Sequence, residues 1–144
     1  MIKLSLTLLV VLASDHALKF LLRRFMGPDG LRLGSIGSMR IVAGQLWLRR
    51  IGEHASAVMI WTFWVLAAVA LVIVGTCAPF SAVFVGLLLG GSLSNGLESS
   101  LQGSVSDYVC LRFWPSFNLA DLALAAGAIG ILTELLIVVG ETMS

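Results

Sequence analysis

The stretch SVSDYVCLRFWPSFNLADL, Ser104 to Leu122, organises the chain. It sets two carboxylates, Asp107 and Asp121, on either side of an aromatic, proline-broken connector. Asp121 stands at the entrance to a long apolar segment. Acidic groups at a membrane boundary are costly and are kept there for a purpose. Two plain readings compete with a functional one. Asn118 suits a helix N-cap and Asp121 the third helical position, together a capping box after a Pro-containing turn. Asp107 reads equally as a loop acid paired with Arg112.

Composition decides the class around this stretch. The chain has 144 residues, 58% hydrophobic and 12% charged, with a mean hydropathy of +1.01. Soluble domains carry about 25% charged residues, so polar surface is lacking and an integral membrane protein is expected. A formal charge of +1 carries no nucleic-acid footprint. Two cysteines, Cys77 and Cys110, make neither a metal cluster nor a disulfide framework. On the expected layout they sit about 30 Å apart across the hydrocarbon and read as small apolar fillers.

Four apolar runs predict four transmembrane helices in a single domain, 1–144, over residues 3–24, 55–76, 79–98 and 118–139. Each reaches the roughly 20 residues needed to span a bilayer. The first resembles a secretory signal peptide up to Ala13, but apolar residues resume at Ala17, which favours a retained helix. Asp15 and Lys19 on it are spaced i, i+4. That spacing reads most simply as an ion pair near the water boundary, with Lys19 snorkelling. Its alternative is that Asp15 holds a polar loop from below.

Residues 27–52 are glycine-rich with partial alternation, which predicts short strands or an amphipathic element lying at the membrane surface. Trp47 among Arg32, Arg40, Arg49 and Arg50 suits headgroup contact. Trp61 and Trp64 are placed for an aromatic belt, and Gly86 and Gly90 have the spacing that lets helices approach closely. Glu134, near the end of the fourth run, is expected to reach the interface. Arginine counts would put both long loops in the cytoplasm.

Two aspartates reaching one pocket can act as an aspartic-protease pair. Like charges a few ångströms apart share one proton, so one member takes a proton from water while the other polarises a carbonyl. No metal or cofactor is required. A helix N-terminus favours Asp121 as the charged member, although such a pair titrates as a unit.

The motifs resemble those of the lipoprotein signal peptidase (signal peptidase II) family. Its D-x-x-x-K is matched by Asp15-His-Ala-Leu-Lys19, and its G-G-x-x-x-N by Gly90-Gly91-Ser-Leu-Ser-Asn95. Its V-x-D-[FY] is matched by Val105-Ser-Asp107-Tyr108, and its W-P-x-F-N-x-A-D by Trp114-Pro-Ser-Phe-Asn-Leu-Ala-Asp121. The resemblance implies an all-α polytopic fold of four spans with a small extracytoplasmic β-element after the first. It implies an aspartic endopeptidase of the bacterial cytoplasmic membrane, both termini cytoplasmic, against the arginine count. Its partners would be membrane lipids and a prolipoprotein, cut before a diacylglyceryl-modified cysteine, with the enzyme acting as a single copy. Asp107 and Asp121 match the catalytic dyad. Asp15, Lys19, Asn95 and Asn118 match site-supporting positions, with Arg112 a further candidate.

Two departures stand out. Glu98-Ser99 occupies the place of the family's Asp-Arg, and IVAGQLW is the nearest match to its N-x-G-A-A-F element. A serine cannot replace a bidentate guanidinium, so Arg112 or Arg40 becomes a candidate substitute. The same departure leaves open a divergent paralogue that binds lipid, lipopeptide or an inhibitor with altered cleavage or none.

Overall fold

Each apolar run forms a helix, because hydrocarbon side chains on every face leave the backbone to satisfy itself. The structure, a computed structural model, describes residues 2–27, 30–44, 57–77 and 81–143. The element order is α1 (Ile2–Phe25), β1 (Leu31–Arg32), β2 (Gly37–Gly44), α2 (Ala57–Cys77), α3 (Ala82–Gln102), β3 (Val105–Leu111) and α4 (Leu119–Met143). Two helices, Ile2–Phe25 and Leu119–Thr142, are long and apolar enough to cross a membrane by length and composition. Their outer faces expose Leu6, Leu9, Phe20, Ile129, Leu132 and Leu136. A continuous apolar surface of that kind calls for a covering phase other than water.

α3 is the central helix, and glycines allow it to be. A methyl group added at Gly86 would lie 2.8 Å from the Leu4 carbonyl oxygen, and one at Gly90 would lie 2.9 Å from Val11 Cβ, both on α1. Gly91, turned the other way, would place a methyl group 2.5 Å from the Ala120 carbonyl oxygen of α4. The small-residue spacing seen in sequence therefore sets the α1–α3 approach, and Gly91 adds the second interface. Ser81 caps the start of α3, accepting from the Val83 N–H, and Gly103 ends it in the left-handed conformation at φ 74°.

Trp61 and Trp64 do more than meet an interface. Their indole N–H groups donate to Ser100 Oγ (2.9 Å) and Ser92 Oγ (3.0 Å), tying α2 to α3. The rings also meet edge to face, 5.8 Å between centroids. Glu134 accepts a 2.7 Å hydrogen bond from the Ser81 N–H and so caps α3 from α4. That role was not visible in the sequence.

The surface segment supplies two of three strands in an antiparallel sheet ordered β1-β2-β3. Trp47, Arg49 and Arg50 lie outside the described residues. The third strand corrects the reading of Ser104–Leu122 as a connector, because its first half, Val105–Leu111, is β3 and pairs with β2. Met39 pairs with Val109 and Val42 with Asp107, so one extra β2 residue intervenes. That irregularity sits next to Asp107, where a bulge turns a side chain out of simple alternation. Cys110 lies in β3 rather than at the end of a span.

Candidate active site

Few large apolar side chains fill the end of the bundle beneath β3. The residues most deeply buried there are Asp15, Ser94, Glu98 and Asn118. Buried polar groups need partners, and each of these has them. Among the described residues no buried side-chain nitrogen or oxygen lacks a hydrogen bond.

The network starts on α1. Asp15 Oδ2 accepts from Lys19 Nζ and from Ser94 Oγ, both at 2.6 Å, and Oδ1 accepts from the Ala120 N–H at 3.2 Å. The carboxylate thus joins α1, α3 and the first turn of α4, where a helix dipole favours an anion. Lys19 also reaches Glu98 Oε2 at 2.8 Å and Asn95 Oδ1 at 3.4 Å. Asp15 and Lys19 are 0% and 3% exposed. The pair expected at the water boundary is instead fully enclosed. Its i, i+4 spacing was read correctly and its burial was not, because a second helix covers it.

Glu98 stands where a family carboxylate was expected, followed by Ser99 instead of an arginine. It accepts from Lys19, from Arg23 Nη2 at 2.6 Å and from the Ser106 N–H at 3.1 Å. Arg23 Nη2 lies within hydrogen-bonding distance of Gln102 Oε1 (2.8 Å) and Ser106 Oγ (2.6 Å) as well. A guanidinium is therefore present beside Glu98, and it comes from α1. Arg112 lies elsewhere, with its guanidinium over the Phe113 ring and its N–H bonded to the Ile36 carbonyl. The structure brings neither Arg112 nor Arg40 to this cluster. One sequence signal pointed to Arg23: it continues the Asp15–Lys19 spacing by another four residues, so all three lie along one helical row.

Asn95 and Asn118 connect the ionic cluster to the two aspartates. Asn95 Nδ2 donates to Asp121 Oδ1 at 2.8 Å. Asn118 Nδ2 is shared among Asn95 Oδ1 (3.2 Å), Asp107 Oδ1 (3.2 Å) and the Ser106 carbonyl (3.3 Å). The Asn118 N–H donates to Asp121 Oδ2 at 3.0 Å, and the Asp121 N–H donates to Asn118 Oδ1 at 2.9 Å. This is a reciprocal capping box. The capping role and the site role coexist, since the residue that caps α4 also binds both aspartates.

Among the described residues Asp107 has no ion-pair partner of its own. Asn118 serves one oxygen, and Ser116 Oγ donates to the other at 3.0 Å. Burial pushes its carboxyl above the ordinary aspartate range and the Asp121 charge adds to this, while the Ser116 and Asn118 hydrogen bonds pull the other way. Burial likewise pushes the neighbouring Tyr108 phenol up to about 12. It stays neutral, and its oxygen accepts the Leu119 N–H at 2.7 Å. Among the described residues no group of three His, Cys, Asp or Glu side chains is arranged to hold a metal.

Comparison with known proteins follows the same lines. Residues 7–137 match the family model described as Signal peptidase (SPase) II. A lipoprotein signal peptidase of Syntrophomonas wolfei is 32% identical over 111 residues, 69% of this chain and 74% of that protein. One from Rhodococcus jostii is 34% identical over 136 residues, covering 83% and 65%. One from Xylella fastidiosa is 40% identical over 85 residues, and there the match spans only about half the relative's length, 51%. Two solved bacterial membrane enzymes, determined by the in meso method at 1.9 and 2.3 Å, share the fold with TM-scores of 0.79 and 0.74. Their identities are 21% and 23%, and 94% of this chain is covered in each case, against 94% and 88% of theirs. With a family match over most of its length and the shared membrane-enzyme fold, the chain belongs to the signal peptidase II family.

Proposed function

We propose that this protein is an aspartic endopeptidase of the bacterial cytoplasmic membrane, using Asp107 and Asp121. It removes the signal peptide from prolipoproteins, cutting just before the diacylglyceryl-modified cysteine. The four helices all span the membrane, with both termini in the cytoplasm and the sheet on the outer side. The observation that carries this reading is Asn118, which bonds both carboxylates at once.

In the reaction a water between the carboxylates attacks the scissile carbonyl carbon. The ionised aspartate takes the water proton, and the protonated one donates to the carbonyl oxygen as it gains charge. Collapse of the tetrahedral intermediate breaks the C–N bond, and the leaving amine takes up the proton held by the base. Asp121 suits the base. Its carboxylate lies in the first turn of α4 and receives two N–H donors, from Asn95 and from the Asn118 backbone. Raised proton affinity suits Asp107 to the acid role.

A gel-shift assay of prolipoprotein processing by Asp107→Asn and Asp121→Asn tests the reading. Each variant is expected to lose activity by about a thousandfold or more. Undiminished cleavage by either one overturns the assignment. Failure of the parent protein to cleave any acylated substrate, or to complement a strain depleted of its own signal peptidase II, would favour binding without cleavage.

A further inference from the structure

Ser116 occupies the unspecified position of W-P-x-F-N, and nothing in the sequence pattern marks it as functional. The fold nevertheless fixes it in place. Phe117, its neighbour, makes an isolated bridge to Val109 of β3. The Phe117 carbonyl accepts from the Tyr108 and Val109 N–H groups at 3.2 and 3.0 Å, and its N–H donates to the Val109 carbonyl at 3.1 Å. On the other side Asn118 is wholly buried in the network described above. Ser116 is therefore pinned between a strand contact and a buried cap, with Oγ 3.0 Å from Asp107 Oδ2.

The two carboxylates have different kinds of partner. Among the described residues Asp121 is met by nitrogen donors alone, an amide and a backbone N–H, which can give a hydrogen bond but cannot receive one. A proton placed on Asp121 weakens both contacts without a new acceptor. Asp107 Oδ2 is met by a hydroxyl, which is both donor and acceptor and turns about its C–O bond. When Asp107 is ionised Ser116 donates to it, and when Oδ2 carries the proton Ser116 accepts.

The geometry points to Ser116 as a positioning residue for the reaction, holding Asp107 in place through both protonation states so that the shared proton is carried and released at Asp107. This rests on the dyad reading above. Other charges around Asp107 and its neighbour Ser106 do not supply such a reversible contact. Asp121 stands on α4, Glu98 on α3, and Asp15, Lys19 and Arg23 on α1, with the neutral Tyr108 phenol beside it on β3. Each cation among them is already engaged by a carboxylate.

The contact is stronger to the anion than to the acid, so its loss makes Asp107 hold its proton more tightly. Ser116→Ala in the full-length protein, assayed against an acylated prolipoprotein peptide, is expected to lower kcat about tenfold with KM unchanged. The alkaline limb of its pH profile moves upward while the acid limb stays. Ser116→Thr keeps the hydroxyl and restores both kcat and the profile. An unchanged profile for Ser116→Ala, movement of the acid limb instead, or equal damage in Ser116→Thr overturns the inference. Infrared difference spectra provide a readout independent of turnover. The pH-titrating protonated-carboxyl band is expected to vanish in Asp107→Asn and to titrate at higher pH in Ser116→Ala. A band indifferent to both substitutions overturns it as well. Because Ser116→Ala retains a measurable rate, this failure differs from that of the dyad itself, which is read from Asp107→Asn.

Discussion

Two neighbouring groups of charges in this protein are built on opposite plans. In Asp15, Lys19, Glu98 and Arg23 the signs alternate, and three ion pairs at 2.6 to 2.8 Å link them. Opposite charges packed together hold helices in place, although their net contribution is small once desolvation is counted. In Asp107 and Asp121 the signs are alike, no cation among the described residues makes an ion pair with either, and neutral amides and a hydroxyl fill the gaps. A like-charged pair shares a proton. The first arrangement fixes geometry, and the second suits the proposed function, in which two carboxyls hold one proton between them. Asn95 and Asn118 join the two without carrying charge into either.

The comparison predicts that the two groups fail differently. The largest effect falls on turnover. Asp107→Asn removes activity by about a thousandfold yet leaves the thermal unfolding midpoint in detergent undiminished, because an amide fills the same space. If unfolding drops together with activity, the separation between the groups is wrong. Next comes Glu98→Ala, which takes one of the two carboxylate partners from buried Lys19 and leaves Arg23 and the Ser106 N–H without theirs. Removing one partner of a buried pair costs about 3 to 5 kcal/mol, and denaturant or thermal unfolding measures it. A change below about 1 kcal/mol would place Glu98 among surface charges instead. Arg23→Met is milder, about 1 kcal/mol, since the Arg23 side chain is 38% exposed.

The smallest effect is in pH dependence. Folding raises the proton affinity of Asp107. Its contribution to stability is full below the ordinary aspartate range and is lost as pH rises through the folded-state value. Asp107→Asn is neutral throughout, so it is expected to unfold at a higher temperature than the parent at neutral pH, with the gap closing on acidification. An equal gap at all pH values would mean that burial leaves Asp107 unaffected.

Much of this was legible in the chain. The apolar runs placed the helices to within a few residues because length and hydropathy are local properties. α3, for example, was expected over 79–98 and forms Ala82–Gln102. Asp107, Asp121 and Asn118 were identified through their motifs, and the structure brings them together. What stayed hidden depends on contacts between distant residues. Spacing put Asp15 and Lys19 on one face but carried no sign that α3 would cover them. Arg23 stayed hidden because its partners Glu98 and Ser106 lie 75 and 83 residues away. β3 was masked by brevity, with four consecutive buried residues where alternation was expected. Asp121 offered a capping box or a catalytic group; the capping box is formed and leaves the carboxylate in contact with Asn95, so no spacing rule could have chosen between the two readings.

The hydrogen bond from the Ala120 N–H to Asp15 spans 105 residues of sequence. A carboxylate on α1 therefore finishes the start of α4. Until α4 emerges and inserts, Asp15 lacks this backbone donor, and neither Asn118 nor Asp121 is present. Asp107 and Asp121 therefore meet at Asn118 only once the start of α4 is in place.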